Sequence, residues 1–157
     1  MLRPVKSEDF PLIFEWENNP EMWPISETPG PFDEATISEF IAMSGSLKSH
    51  GQERWVIFDL NKRPVGLVDL FSFDPDSRSA GIGIMVANMS DRKHGYAHDA
   101  LMTLIENLIE HNKVVSLQAL IHTDNEPSIN LFAKCGFEPK GTKFYRGRFA
   151  IQYVKNL

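Results

Sequence analysis

The chain has 157 residues, of which 42% are hydrophobic and 24% charged, as in a globular domain with a sizeable core. Its formal net charge of −5 argues against a general nucleic-acid binder, which needs a basic surface. The single cysteine excludes an intrachain disulfide, and no apolar run approaches the roughly 18 residues that a membrane span needs. No secretory leader is evident, so we expect one cytoplasmic domain over residues 1–157.

The first third of the chain favours helices. Residues 2–5 fit a short edge strand, and apolar residues at helical spacing predict a helix near 8–18. Four prolines make residues 19–32 a stiff connection of the kind that often borders a functional site. Asp33 is placed to cap a second helix.

The middle of the chain changes to short strands. Residues 55–58, 65–73 and 79–86 predict three strands, and the short polar turns between them favour an antiparallel meander. Gly81 and Gly83 are expected to weaken the third strand, because glycine inside a strand often marks a bulge or a close approach. We expect the sheet to open there and admit a ligand.

The most regular helix follows at residues 95–110, where apolar residues repeat at i, i+3 and i+4 without a miss. A strand at 114–122 comes next, which predicts a parallel β-α-β crossover. Asn125 can cap a short helix that ends near Lys134. Two final strands within residues 141–154 complete the chain.

The turn before the long helix reads Arg92-Lys-His-Gly-Tyr-Ala97, which fits the pattern Arg/Gln-x-x-Gly-x-Gly/Ala. Backbone N–H groups and the helix dipole favour an anion at such a helix start. Gly95 would let the backbone approach a phosphate, and Arg92 adds a cation. The turn is therefore predicted to hold a pyrophosphate.

A second motif reads Asn125-Glu-Pro-Ser-Ile-Asn-Leu-Phe-Ala-Lys-Cys-Gly-Phe137. Together the two motifs resemble the GNAT superfamily of N-acetyltransferases. The opening Leu2-Arg-Pro and the Trp16-x-Asn-Asn-Pro segment look like its branch of ribosomal-protein and spermidine acetyltransferases. The resemblance covers essentially the whole chain. It implies an α/β fold with a mixed, twisted, mostly antiparallel sheet, splayed central strands and helices on both faces.

The resemblance also implies a reaction, in which acetyl-CoA donates an acetyl group to a primary amine. The acceptor would be a small polyamine-like amine or a protein or peptide N-terminus. The loop amides would cradle the pyrophosphate, the third strand would pair with the pantetheine, and a strand N–H would stabilise the oxyanion. Asn125 would bind the pantetheine arm, cap its helix, or do both. The cofactor-binding residues so implied are Ile84, Met85, Val86, Arg92, Lys93, His94, Gly95, Tyr96, Ala97, Asn125 and Lys134.

The chain departs from the family pattern at two positions. Many relatives carry a tyrosine that protonates the leaving thiolate, where this sequence has Phe132, and some carry a carboxylate where it has Gly81. Tyr96 and Tyr145 are alternative acids, each also open to a structural role. A non-catalytic acyl-CoA-binding or sensing domain therefore stands as the alternative function.

Asp69 is the best candidate for the base that accepts the proton of the amine. It interrupts the otherwise apolar strand Gly66-Leu-Val-Asp-Leu-Phe71, where burial is expected to raise its pKa. His122 is a second candidate, and a polar residue at a strand end is its structural alternative. Cys135 has no evident histidine partner and is interpreted as a core thiol.

The acceptor wall is the part of the site that the sequence describes least. The connection 19–32 and the second helix are expected to form it, and Glu27, Asp33 and Glu39 can attract a cation there or simply be solvated. The histidines and cysteine show no ligand spacing, so no metal is expected. Neither a nucleic-acid nor a membrane partner is expected, and the oligomeric state stays open, a homodimer included.

Overall fold

A computed structural model describes residues 1–26 and 30–157. The strands are β1 (Leu2–Pro4), β2 (Gly45–Ser46), β3 (Gln52–Phe58), β4 (Pro64–Asp74), β5 (Ser79–Val86), β6 (Ser116–His122), β7 (Glu138–Tyr145) and β8 (Arg148–Asn156). The helices are α1 (Phe10–Glu17), α2 (Trp23–Ser26), α3 (Glu34–Met43), α4 (Leu47–His50), α5 (Tyr96–Glu110) and α6 (Glu126–Lys134), with short 3₁₀ turns at Ser7–Asp9 and Met89–Asp91.

One mixed sheet runs through the molecule in the order β1-β3-β4-β5-β6-β8-β7, with β2 beside β3. The predicted meander is confirmed, because β3, β4 and β5 pair antiparallel. The predicted crossover is confirmed as well, since β5 and β6 pair parallel and α5 connects them.

The sheet splits between β5 and β6. Their parallel pairing covers three residues and ends at Gly81, opposite Gln118, although both strands continue beyond that point. Beyond the split, β5 remains paired with β4 and β6 remains paired with β8. The expected opening of the sheet therefore exists as a V-shaped gap between two otherwise intact halves.

Strand β5 runs unbroken from Ser79 to Val86, and its weakening by the two glycines stays a prediction. Gly81 also lies in close packing with a neighbouring ring. The ring of Phe71, its partner on β4, lies so close that a Cβ on Gly81 would overlap it. The irregularity in this part of the sheet lies instead on β4, where the register shifts between Phe71 and Asp74.

Helices cover the two faces of the sheet and divide the core. Helix α5 buries its regular apolar stripe against one face, and α6 packs beside it. Helices α1 and α3 cover the β3–β5 part of the other face, where Ile13, Trp16, Ile37 and Ile41 meet Val56 and Leu67. Asp33 caps α3 as predicted, because its carboxylate accepts a hydrogen bond from the Thr36 amide at 2.8 Å. Within residues 1–26 and 30–157, no helix has the length and apolarity to cross a membrane.

Candidate active site

A cleft of about 690 Å³ opens where β5 and β6 separate. Its floor follows β5 from Ser79 to Met85 and β6 from Gln118 to His122. Helix α6 contributes Asn125, Ser128 and Phe132 at one side. Phe32, just before α3, and residues from α1, α3, β3 and β4 border the other side. The latter are Glu17, Thr36, Ile37, Phe40, Arg54, Leu67, Asp69 and Phe71.

The free edge of β5 faces this cleft with alternate main-chain groups. The Ala87 amide donates to Val65 O, and the Met85 carbonyl lies against Gly66, so the odd-numbered residues of β5 bond to β4. In an antiparallel strand the residues between them point their N–H and C=O groups the other way. Ile84 and Val86 therefore present the expected pairing groups to the gap, whereas those of Met85 are directed to β4.

The predicted phosphate loop follows β5 after the short 3₁₀ turn at Met89–Asp91. Lys93 and Gly95 have positive φ angles of 63° and 87°, and α5 begins at the next residue. The Tyr96 and Ala97 amides lie in the first turn of α5, where helix geometry leaves N–H groups without intrahelical acceptors. A Cβ placed on Gly95 would meet nothing within 4 Å, so the space above the loop is open.

The side chains of the loop are oriented by local contacts. The His94 ring stacks on Tyr96 with 5.9 Å between centroids, and its Nδ1 lies 2.8 Å from the Arg92 carbonyl oxygen. Arg92 Nη2 contacts the sulfur of Met22 at 3.9 Å, and Ala97 lies in the first turn of α5. The loop thus presents main-chain donors, with its rings packed on each other.

An arginine clamp holds the turn that leads into this loop. Arg63 donates two hydrogen bonds to Asp91, at 2.7 and 2.8 Å, and one to Asp59 at 3.1 Å. The hydrogen bonds from Arg63 lower the pKa of Asp91, which keeps the pair charged. Asp91 directly precedes Arg92, so the clamp ties the β3–β4 turn to the start of the loop.

The second motif, residues 125–137, lines the cleft through its N-terminal part, and its last residues lie outside the cleft. Asn125 lines the cleft and caps α6, because its side-chain oxygen accepts a hydrogen bond from the Ser128 amide at 3.3 Å. The capping role is therefore confirmed. Lys134 is exposed at the opposite end of α6, about 13 Å away along the helix axis, and does not line the cleft. Its role toward the cofactor stays a prediction.

Asp69 lies in the cleft, on the face of β4 that α1 and α3 cover. Arg54 stands directly opposite on β3 and binds both carboxylate oxygens, through Nε to Oδ1 and through Nη2 to Oδ2 at 3.0 Å. Its remaining terminal nitrogen, Nη1, donates to Glu17 Oε1 at 2.9 Å. Burial raises the pKa of Asp69, and the charge and hydrogen bonds of Arg54 act against that rise.

The sequence reasoning missed Arg54 and Glu17. The predicted strand began at Trp55, whereas β3 begins at Gln52 and includes Arg54. A charged residue that continues a strand opposite another charged residue is the signal that could have found it. The pairing is not readable from the sequence, because a bulge between Ile57 and Phe58 shifts the register by one residue.

The remaining candidates divide between cleft and core. Tyr145 and His122 both line the cleft and stack on each other, with centroids 5.9 Å apart, whereas Tyr96 belongs to the phosphate loop. Phe132 lines the cleft and packs edge-on against Phe137. Cys135 is buried in the core, and this burial raises the pKa of its thiol.

The acidic residues proposed for the acceptor wall do not gather in the cleft. Asp33 is engaged in its cap, Glu39 is exposed on α3 outside the cleft lining, and Glu27 lies outside the described residues. Glu17 provides a carboxylate there instead. Across residues 1–26 and 30–157, no group of three acidic, histidine or cysteine side chains could hold a metal ion.

Solved acetyltransferase structures share this fold. A spermidine N-acetyltransferase from Vibrio cholerae, in complex with CoA and spermine, superposes with a TM-score of 0.87 at 18% identity, covering 99% of this chain and 94% of that one. The aminoglycoside acetyltransferase AAC(6')-Ib, in complex with coenzyme A and kanamycin, gives 0.81 at 22% identity with the same coverage. The predicted fold class is confirmed.

Sequence relatives point in the same direction. The N-acetyltransferase 9-like protein of Nematostella vectensis is 30% identical over 149 residues, which are 87% of this chain and 73% of the relative. The alpha/beta-tubulin-N-acetyltransferase 9 of Mus musculus is 26% identical over 151 residues, 88% of this chain and 61% of the relative. This chain thus spans under two thirds of the mouse protein.

A family model for the GNAT acetyltransferase domain matches residues 1–138, and both β5 and β6, which border the gap, and the loop at the start of α5 lie within that range. The resemblance found in the sequence is therefore confirmed. The chain belongs to the GNAT family of acetyltransferases, with acetyl-CoA as co-substrate and an amine as acceptor.

Proposed function

We propose that this chain acetylates the N-terminal amine of a protein or peptide by direct attack on acetyl-CoA, with a small polyamine-like amine as the second candidate acceptor. One observation carries the proposal. The free edge of β5 and the Asp69 carboxylate line a single cleft, and the phosphate loop follows β5 in the chain after the turn at Met89–Asp91. A thioester held along β5 would lie between an anion site at one end and a proton acceptor at the other.

The residues present fit coenzyme A. The amides at the start of α5, with open space above Gly95, suit a pyrophosphate. The main-chain groups of Ile84 and Val86 suit the amides of the pantetheine arm, as an added strand would. Asn125 lines the far side of the gap, and its amide nitrogen can donate while its oxygen caps α6.

Acetyl-CoA supplies the acetyl group as a thioester. The amine nitrogen forms a bond to the acetyl carbon, the carbon–sulfur bond breaks, and the sulfur leaves as a thiolate. Asp69 accepts the proton that the ammonium must lose, and an N–H of Ile84 or Val86 stabilises the oxyanion. Phe132 has no proton to give, so the thiolate leaves as such or takes a proton from water or from Tyr145.

The order of the two acceptors rests on the relatives. The mouse relative is named for tubulin, a protein acceptor, and it matches 88% of this chain. The neighbour that holds spermine shares the fold at 18% identity, which supports a small amine less strongly. The cytoplasm is the compartment proposed for this reaction, and it suits a lone buried thiol.

Thiol release from acetyl-CoA tests the proposal. The protein is supplied with N-terminal peptides, polyamines, amino acids and aminoglycosides in parallel, and we expect the fastest release with a peptide. Fastest release with a polyamine would favour the second candidate. Tight CoA binding without release for any acceptor would contradict the enzyme proposal and support a binding or sensing domain.

A further inference from the structure

Three charged side chains form a connected group at the acceptor side of the cleft, and their arrangement goes beyond what the reaction itself requires. Glu17 ends α1, Arg54 lies on β3 and Asp69 lies on β4, so one network joins three separate elements. Arg54 is its centre and is only 9% exposed. Two carboxylates share one guanidinium, which gives the group a net charge of −1.

The guanidinium of Arg54 is held by a ring on one face and by two carboxylates at its edge. Its central carbon lies 3.7 Å from the centroid of the Phe40 ring, and its donors reach both carboxylates. A guanidinium stacked and bonded in this way has one orientation. The Asp69 carboxylate that it grips is therefore fixed in direction as well.

The hydrogen bonds from Arg54 leave the Asp69 carboxylate able to accept a proton. A carboxylate has about four lone-pair positions, and Arg54 occupies one on each oxygen. Gly83 stands directly opposite Asp69 on β5 and has no side chain to cover the free positions. A bound amine can reach Asp69 across the glycine.

We propose that Arg54 is a positioning residue that keeps the Asp69 carboxylate ionised and aimed into the cleft. Glu17 binds the same guanidinium and thereby limits how strongly Arg54 stabilises the ionised form of Asp69. This inference rests on the proposed role of Asp69 as base. Burial pushes Asp69 toward its neutral form, which cannot accept a proton, and the adjacent cation opposes that tendency.

The groups that face Asp69 come from several elements. Arg54 comes from β3, and Glu17 reaches it from α1 through Arg54. Helix α3 contributes the uncharged Phe40, and β5 contributes Gly83. His122, Lys143 and Tyr145 line the same cleft from β6 and β7.

Two substitutions are expected to move the pH–rate profile in opposite directions. Arg54→Gln removes the cation, so the pH at which kcat/KM falls on the acid side of the profile (its acid limb) rises by about one pH unit or more. The rate at pH 7 falls about 10-fold or more. Glu17→Gln lets Arg54 act on Asp69 alone, so the acid limb moves to lower pH. A purely structural role would not produce opposite shifts.

Controls separate this inference from protein stability and from the proposed function. Arg54→Lys keeps a cation and is expected to shift the acid limb less than Arg54→Gln does. This variant also keeps the inference testable if the glutamine variant does not fold. Arg148→Gln breaks the exposed pair with Asp124 outside the cleft and is expected to leave the profile unchanged. CoA affinity is measured for every variant.

The outcomes are distinguishable. If Asp69→Asn is inactive while the acid limbs of the Arg54 and Glu17 variants coincide with that of the wild type, the positioning role of Arg54 is wrong. The assignment of Asp69 as the base is then retained. If Asp69→Asn is fully active, the base itself is wrong. Opposite shifts with unchanged CoA affinity would establish the network as described.

Discussion

Gly95 is the residue on which the cofactor site depends most directly. Its φ of 87° lies in the left-handed region, and the space above it is open. Gly95→Glu is expected to lower CoA affinity about 100-fold or more, because the side chain strains the loop, fills the anion site and adds an opposing charge. Isothermal titration with CoA measures this. Gly95→Asn, which tolerates such a φ, should bind far better than the glutamate variant, and equal affinity in the wild type and Gly95→Glu would show that the phosphate site lies elsewhere.

Asp69 is the residue on which the chemistry depends. Asp69→Asn keeps an oxygen for Arg54 but cannot accept a proton, so kcat/KM is expected to fall about 10²- to 10⁴-fold while CoA affinity changes little. Steady-state rates and CoA titration give the two readings. Asp76→Asn, in an exposed turn outside the cleft, should behave as wild type, and an equal loss in both variants would point to a general charge effect.

At the scale of elements, the clamp between the β3–β4 turn and the turn before α5 determines where the phosphate loop lies. Arg63→Gln removes both hydrogen bonds to Asp91 and leaves a buried carboxylate without its cation. We expect KM for acetyl-CoA to rise about 10-fold while KM for the amine stays close to that of the wild type. A parallel rise in both constants would indicate a global effect, and Arg148→Gln, which breaks an exposed pair, provides the comparison.

The sequence predicted elements better than their junctions. The period of α5, the cap at Asp33 and the meander with its crossover were readable because each depends on local patterns. The bulge after Ile57 was not readable, because it adds a residue on one strand without changing either apolar pattern. The register that places Arg54 opposite Asp69 depends on that bulge, so this charged pair at the acceptor side of the cleft could not be predicted from the sequence.

At the scale of the whole molecule, paired carboxylates make stability depend on pH. Hydrogen bonds from Arg63 lower the pKa of Asp91, and at Asp9 the bonds from Arg3 and Lys6 outweigh the opposing effect of burial. A group with a lowered folded pKa stabilises the protein above its unfolded pKa, near 4, and loses that contribution as pH falls. The raised pKa of Asp69 acts in the opposite direction.

We therefore expect the urea midpoint to fall steadily as pH is lowered from about 5 to 3. Asp91→Asn should lower the midpoint at pH 6 and make its fall at acid pH smaller, because one contributing carboxylate is gone. Fluorescence of the three tryptophans follows the transition. A midpoint that is constant down to pH 3 would contradict the assignment of these pairs as stabilising.

The ring of Phe71 over Gly81 also limits how this family member can change over evolutionary time. A side chain at position 81 overlaps the ring in its present position, so a carboxylate there requires the ring to turn away or residue 71 to become smaller. The two positions should therefore covary among descendants of such a chain, with Phe opposite Gly or a small residue opposite Asp or Glu. Phe71→Ala should in the same way make Gly81→Glu tolerable, opening a path to a second carboxylate beside Asp69.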